Sequence, residues 1–211
     1  MGNELNCKVK FGEQKSEGKA LLETSEILFR GEFRLKIPFS TIKSAKAVDG
    51  ELRLLTAEGV AIFHLGAAAE KWRDKILHPK SRIEKLGVKA GAKVSLLGQF
   101  GADFLREVRD RTNSVIRGET AADSKFISFA ADSECILLAA DSKEDFSALS
   151  KIAKAISGAA ALWIVYPKGQ KHITENDVLA AGRKTGLKDV KVVGFSATHT
   201  ALKFVIPLFK R

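Results

Sequence analysis

Residues 135–166 read CILLAADSKEDFSALSKIAKAISGAAALWIVY, and this stretch decides the fold. Cys135 to Ala140 and Ala161 to Tyr166 are short, nearly unbroken apolar runs, as strands buried on both faces are. Between them, Glu144 to Ile156 sets Phe146, Leu149, Ile152 and Ile156 at helical spacing. Strand, helix, strand in that order is a βαβ unit, with two parallel strands in one sheet and the helix against a face of it.

Upstream, Lys93 to Leu97 is a short apolar strand that runs into Gly98-Gln99-Phe100-Gly101. Asp103 to Arg111 then has helical spacing at Phe104, Leu105 and Val108. Downstream, Thr174 and Asp177 form a capping box for a helix reaching Lys184, and Gly186 suits its stop. Val190 to Phe195 and Leu202 to Ile206 alternate around Ala197-Thr198-His199-Thr200 and are expected to pair as a hairpin. Residues 79–211 therefore read as an α/β Rossmann-like sheet ending in an antiparallel hairpin. Thr112 to Glu134 yields no strand count or order.

Residues 1–78 read differently. From Ala20 to His64, short alternating stretches (Ile27-Phe29, Phe33-Leu35-Ile37, Ile42 to Val48, Leu52-Leu54, Val60-Ile62) are separated by Arg30-Gly31, Asp49-Gly50 and Glu58-Gly59. Ala67 to Leu77 follows as a helix with an Ala69, Trp72, Ile76 stripe that ends at His78-Pro79. The expectation is a small antiparallel β-barrel with a C-terminal helix at its open end. Lys8, Lys10, Lys15 and Lys19, interleaved with Glu13 and Glu17, read as a solvated loop with a basic rim.

Three resemblances bear on this reading. The strands, the Trp-bearing helix and the run LKIPFSTIKSAKAVDGELRLLTAEGVAIFHL resemble the pleckstrin-homology-like superfold, in particular its GRAM-type members. That likeness implies either phosphoinositide binding through a basic strand-loop-strand region or docking of a protein, and the near-neutral charge of this segment favours a protein partner. The C-terminal ALWIVYPKGQKHITENDVLAAGRKTGLKDVKVVGFSATHTALKFVIPLFKR resembles the end of a bacterial domain-of-unknown-function family, with its LWxxYPKG strand end and DVKV and THTALKFV hairpin. KLGVKAGAKVSLLGQFGADFLREV resembles that family's opening, and the likeness implies no activity. The helix after Lys168-Gly169 and the closing hairpin also resemble class I methyltransferases. Those enzymes grip S-adenosylmethionine by a glycine-rich turn after the first strand and an acidic side chain after the second. Gly98 to Gly101 is a remnant of that turn, and the sequence shows no convincing acidic residue ending a second strand.

Composition narrows the function classes. A chain of 211 residues, 45% hydrophobic, builds ordinary cores without disulfides or metals. Ala155 to Tyr166, its longest apolar stretch, is interrupted by Ser157-Gly158 and is too short for a bilayer span. Glu4 and Lys8 lie where a secretory signal needs apolar residues, so the expected location is cytoplasmic. Cys7 and Cys135 are the only cysteines. The histidines His64, His78, His172 and His199 show no metal-ligand spacing, so no metal is expected. The net charge is +10, with 13 Lys/Arg against 11 Asp/Glu in residues 1–78 and 22 against 14 in residues 79–211. That excess favours anionic partners by long-range attraction, so nucleic acid is expected to bind weakly and without sequence preference at most.

Any ligand of the α/β segment is expected at the carboxyl ends of its strands. The candidates there are Gly98, Gln99, Gly101, Asp141, Tyr166, Lys168, Gly169, Thr198 and His199. Gly98 and Gly101 offer backbone N–H groups to an anion, and read equally as plain turn glycines. Lys168 is the foremost anion contact, against a lysine that only solubilises its loop. Thr198-His199-Thr200 brings an imidazole to a hairpin tip, where polar residues are ordinary. Ser196 lacks the strand-to-helix turn of a nucleophile elbow. The favoured reading is a non-catalytic binding or regulatory protein, with the barrel docking a protein and the α/β segment holding a small anionic ligand, without a predicted cofactor. An enzyme using a nucleotide- or S-adenosylmethionine-type cofactor, and a weak nucleic-acid binder, stay open as alternatives.

Overall fold

A computed structural model describes residues 3–120 and 123–210, and the chain divides after Lys80 into two compact units. The first holds seven antiparallel strands: β1 (Asn3–Phe11), β2 (Gln14–Leu22), β3 (Glu26–Arg30), β4 (Arg34–Pro38), β5 (Ser44–Val48), β6 (Glu51–Leu55) and β7 (Val60–His64). Their order is β4-β3-β2-β1-β7-β6-β5. Helix α1 (Ala69–Leu77) packs on β5 and β6 and buries Ala69, Trp72 and Ile76, the stripe its spacing predicts. These join Ile27, Phe29, Leu52, Leu54 and Phe63 in one core.

Two expectations are corrected here. The sheet curls as a half-barrel with β4 and β5 as its edges, and among the described residues no hydrogen-bonded ladder closes it into a barrel. The lysine-rich start is a hairpin instead of a loop: β1 and β2 pair from Asn3↔Leu22 to Phe11↔Gln14, around Gly12 at φ +59°. Cys7, Val9 and Ala20 point inward while charged residues fill the outer face. With so few apolar positions, the period-2 signal is thin.

The second unit contains α2 (Arg82–Leu86), β8 (Val94–Leu97), α3 (Ala102–Arg111), β9 (Val115–Gly118), α4 (Ser124–Ala131), β10 (Cys135–Ala139), α5 (Leu149–Ala155), β11 (Ala161–Pro167), α6 (Glu175–Lys184), β12 (Lys188–Gly194) and β13 (His199–Val205). Its sheet runs β12-β13-β11-β10-β8-β9. β9, β8, β10 and β11 are parallel, and β13 enters antiparallel between β11 and β12. This is the Rossmann-like sheet with a closing hairpin. The helix expected from Glu144 to Ile156 is a 3-10 turn, Lys143–Ala148, followed by α5.

The unbroken apolar runs have a direct cause. Along β11, Leu162, Ile164 and Tyr166 join the core under α4, α5 and α6, while Ala161, Trp163 and Val165 join the core under α2 and α3. Close fits fix both layers. A Cβ on Gly182 of α6 would overlap the Phe204 ring. On the other face, Trp163 Nε1 donates to Leu86 O at 3.0 Å and pins α2 to the sheet. Arg82 reaches Glu107 Oε1 at 2.6 Å and Asp103 Oδ2 at 2.8 Å, with its guanidinium 4.9 Å from both the Phe104 and Phe195 rings. Among the described residues no helix is long and apolar enough to cross a membrane.

Candidate functional site

The parallel ladder brings four strand ends to one edge of the sheet. Leu97 is level with Leu138 and Gly118, and Ala139 with Val165, so the residues that follow β8, β9, β10 and β11 emerge together. Gly98 and Lys168 lie on this same edge. At its centre Gly98 turns at φ +90°, where a Cβ would come to 3.1 Å from Ala139 O and 3.2 Å from Ala139 Cβ. Only glycine suits both the backbone angle and the approach of β10. The Gly98 N–H donates to Gly118 O at 3.0 Å, which ties the first turn to the end of β9.

The next residue is Glu119. Its carboxylate was missed by the sequence reading, which found no acidic residue after a second strand, and the structure corrects that. β9 has four residues, Val115-Ile116-Arg117-Gly118, and lies at the edge of the sheet with only Gly118 fully buried. Such a strand carries almost no periodic signal. The usable clue was Gly-Glu at the end of a β-branched pair.

Gly98, Glu119, Thr120, Asp145, Ser147 and Lys151 are among the residues lining a cavity of about 480 Å³ at this edge. Asp145 Oδ2 accepts from Asp141 N (3.0 Å), Ser142 N (2.9 Å) and Ser142 Oγ (3.1 Å) and fixes the turn after β10. Glu144 lines the cavity too, and its own backbone N–H, then the Ser142 hydroxyl, hold its carboxyl below the usual range. Three carboxylates thus face one ammonium, Lys151. Such a wall disfavours an anion and suits a neutral or cationic ligand.

Of the other predicted residues, Gln99 and Gly101 follow β8, and the rest gather around the ends of β10, β11 and β13. Lys168 Nζ donates to Ser196 O at 2.6 Å and Ala197 O at 3.4 Å, and its backbone N–H donates to Thr198 O at 2.8 Å. The side chain expected to meet an anion is therefore a clasp on the hairpin tip, because bare carbonyls lie within its reach. That tip spans Phe195 to Thr198 instead of Ala197 to Thr200, since His199 and Thr200 already belong to β13. His199 Nδ1 is 2.8 Å from Thr198 Oγ1, and Nε2 is 3.7 Å from Asp141 Oδ1. His172 Nε2 bonds to Asp141 O at 3.0 Å. Tyr166 is buried, with its hydroxyl donating to Glu175 Oε2 at 3.1 Å, and burial followed by that carboxylate pushes its pKa up. Gly169 turns at φ +67° with open space around it, Gly101 caps α3, and Gln99 is exposed between the two glycines of its turn. Among the described residues no group of three or more His, Cys, Asp or Glu is placed to hold a metal ion.

No family model matches the chain, and no curated protein matches it. Solved structures with a similar course include a SAM dependent methyltransferase from Aquifex aeolicus (15% identity, 63% of this chain, 96% of that chain, TM-score 0.44). Another is a TehB-like SAM-dependent methyltransferase from Corynebacterium glutamicum (14%, 66% and 96%, TM-score 0.39). A third is the Methanococcus jannaschii fibrillarin pre-rRNA processing protein (14%, 96% and 98%, TM-score 0.42). At TM-scores below 0.5 these likenesses assign no activity.

Proposed function

We infer that the α/β unit binds an adenosine-containing ligand of the S-adenosylmethionine type in the cavity between Gly98 and Glu119. The observation that carries this reading is the junction of Gly98 N–H with Gly118 O, which sets the Glu119 carboxylate beside the first glycine turn, across adjacent strand ends. Glu119 follows Gly98 by 21 positions. In nucleoside-binding α/β sheets, an acidic residue at about that separation accepts hydrogen bonds from the ribose hydroxyls, while the glycine turn lets the backbone approach the ligand.

The charges choose among nucleoside ligands. A dinucleotide brings a pyrophosphate to a G-x-G-x-x-G turn, whereas the turn here is Gly98-Gln99-Phe100-Gly101 and Glu119, Glu144 and Asp145 outnumber Lys151 around the cavity. A sulfonium ligand carries no phosphate and has a positive centre. It would supply an electrophilic methyl group, while this chain's part would be to hold the ribose at Glu119 and the chain of the ligand against the Gly98 turn. An anion held by Lys168 is less favoured, since that ammonium is engaged with the Ser196 and Ala197 carbonyls.

Calorimetric titration of the full chain with S-adenosylmethionine tests the reading. Binding is expected, and Glu119→Ala should weaken it by about 1.5–3 kcal/mol, the range for a hydrogen bond to a charged group. No heat at millimolar ligand, or an affinity unchanged in Glu119→Ala, would overturn it.

A further inference from the structure

The outer face of the N-terminal sheet carries a feature that the α/β unit's chemistry does not use. Alternation sends Val9, Ala45, Leu52, Leu54, Ala61 and Phe63 into the core, so their neighbours along each strand stand on the other face. Register then sets those neighbours in a line. Lys15 is opposite Lys10 across β2 and β1, Lys10 is opposite Ile62 across β1 and β7, Ile62 is opposite Arg53 across β7 and β6, and Arg53 is opposite Lys46 across β6 and β5. The line crosses five strands, roughly 19 Å at four inter-strand spacings. It reads cation, cation, apolar, cation, cation.

Like charges directly opposite each other destabilise a strand pair, and this line holds two such pairs, Lys10 with Lys15 and Arg53 with Lys46. Arg53 is partly compensated by Glu51, 2.8 Å away. Among the described residues no carboxylate lies within ion-pair distance of Lys10, Lys15 or Lys46. A groove of about 470 Å³ runs over Lys10, Lys15, Arg53 and the half-buried Ile62.

We propose that this line docks an acidic peptide segment of a partner protein, with carboxylates on the paired cations and an apolar side chain over Ile62. Charge complementarity fixes the sign of the occupant, and the rest of the face fixes its shape. Glu17 and Glu51 also line the groove, opposite Lys8 and His64 respectively, so a broad anionic surface such as a membrane would meet carboxylates beside the cations. A slender segment along the line lies in register with its four cations and meets Glu51 only beside Arg53. Ile62 adds apolar contact that an inorganic polyanion cannot use.

The test is fluorescence anisotropy of the full chain with a fluorescein-labelled Gly-Glu-Glu-Leu-Glu-Glu-Gly peptide at about 0.05 M and 0.15 M salt, where exposed charges are screened progressively. Lys10→Glu makes the sharpest variant, because it removes a cation from the line and gives Lys15 an opposite charge. Peptide affinity should fall about tenfold or more while the unfolding midpoint rises, so that lost binding cannot be lost folding. Ile62→Ser should weaken the peptide without altering the salt dependence. Lys71→Glu, which makes the same charge change on α1, should leave affinity within about twofold, a change of under 0.5 kcal/mol. The proposal is overturned if the wild type does not bind the peptide, if Lys71→Glu acts as strongly as Lys10→Glu, or if inositol hexakisphosphate or anionic phosphatidylserine vesicles bind more tightly than the peptide through the same lysines.

Discussion

Replacing Gly98 by alanine puts a number on the packing at the carboxyl edge of the α/β sheet. Two costs add. At φ +90° an L-residue is strained by about 1–3 kcal/mol. The new methyl would lie 3.1 Å from Ala139 O and 3.2 Å from Ala139 Cβ, atoms of a central strand that is bonded on both sides and has little room to retreat. Overpacking of that kind costs about 1–3 kcal/mol. The expected total is about 2–6 kcal/mol, and relief by separating β8 from β10 would also strain the Gly98 N–H to Gly118 O bond that places Glu119. Gly169→Ala isolates the first cost: it has φ +67° and nothing within 4 Å of the added carbon, so it should lose roughly 1–2 kcal/mol. Urea unfolding of the two variants measures the difference, expected at about 1–3 kcal/mol with the glycine-98 variant the less stable. Equal losses, or a Gly98→Ala loss below about 0.5 kcal/mol, would refute the claim that this turn is sterically committed to glycine.

Other expectations follow from single contacts. Gly182→Ala should destabilise the α/β unit by about 1–3 kcal/mol in the same assay, and the further substitution Phe204→Leu should recover part of that loss by vacating the overlapped ring edge. Asp177 is held at about 2 by the Lys143 ammonium and then by Thr174, a folded-state pKa below the unfolded one. Its contribution is therefore complete above about pH 4 and lost as pH falls through about 2, so the acid limb of an unfolding-midpoint profile should flatten in Asp177→Asn. Burial pushes Cys7 up to about 11 and Cys135 up to about 12, so neither thiol should react with a disulfide reagent at pH 8 until urea opens the chain.

How much was legible in the sequence depended on how far apart the interacting residues lie. β10, β11 and α1 could be read because each carries a full apolar period within one element, and the Thr174-Asp177 box announces α6 in four residues. The curled sheet was read as a barrel because its strand order depends on β1 finding β7 some fifty positions away, a pairing no local pattern encodes. α2 has one turn and a half of helix, held by a Ser81-Glu84 capping box and by Trp163 across the sheet, and its five residues show no stripe. Lys168 was read for its charge. What decides its role is the set of carbonyls brought under it by a hairpin 28 residues downstream. Glu119 went unseen for the same reason in reverse: it becomes meaningful only when β9 is placed beside β8.

The position of β9 also bears on kinetics. It is the outermost strand on its side of the sheet, and Glu119 follows directly from it, so among the described residues no strand lies beyond the Glu119 end of the cavity. If a ligand held there enters past this edge strand, it need part no strand pair to do so. Its residence time would then be set by the contacts it breaks, so that a loss of affinity in Glu119→Ala should appear almost wholly as faster departure, with the arrival rate left near that of the native chain.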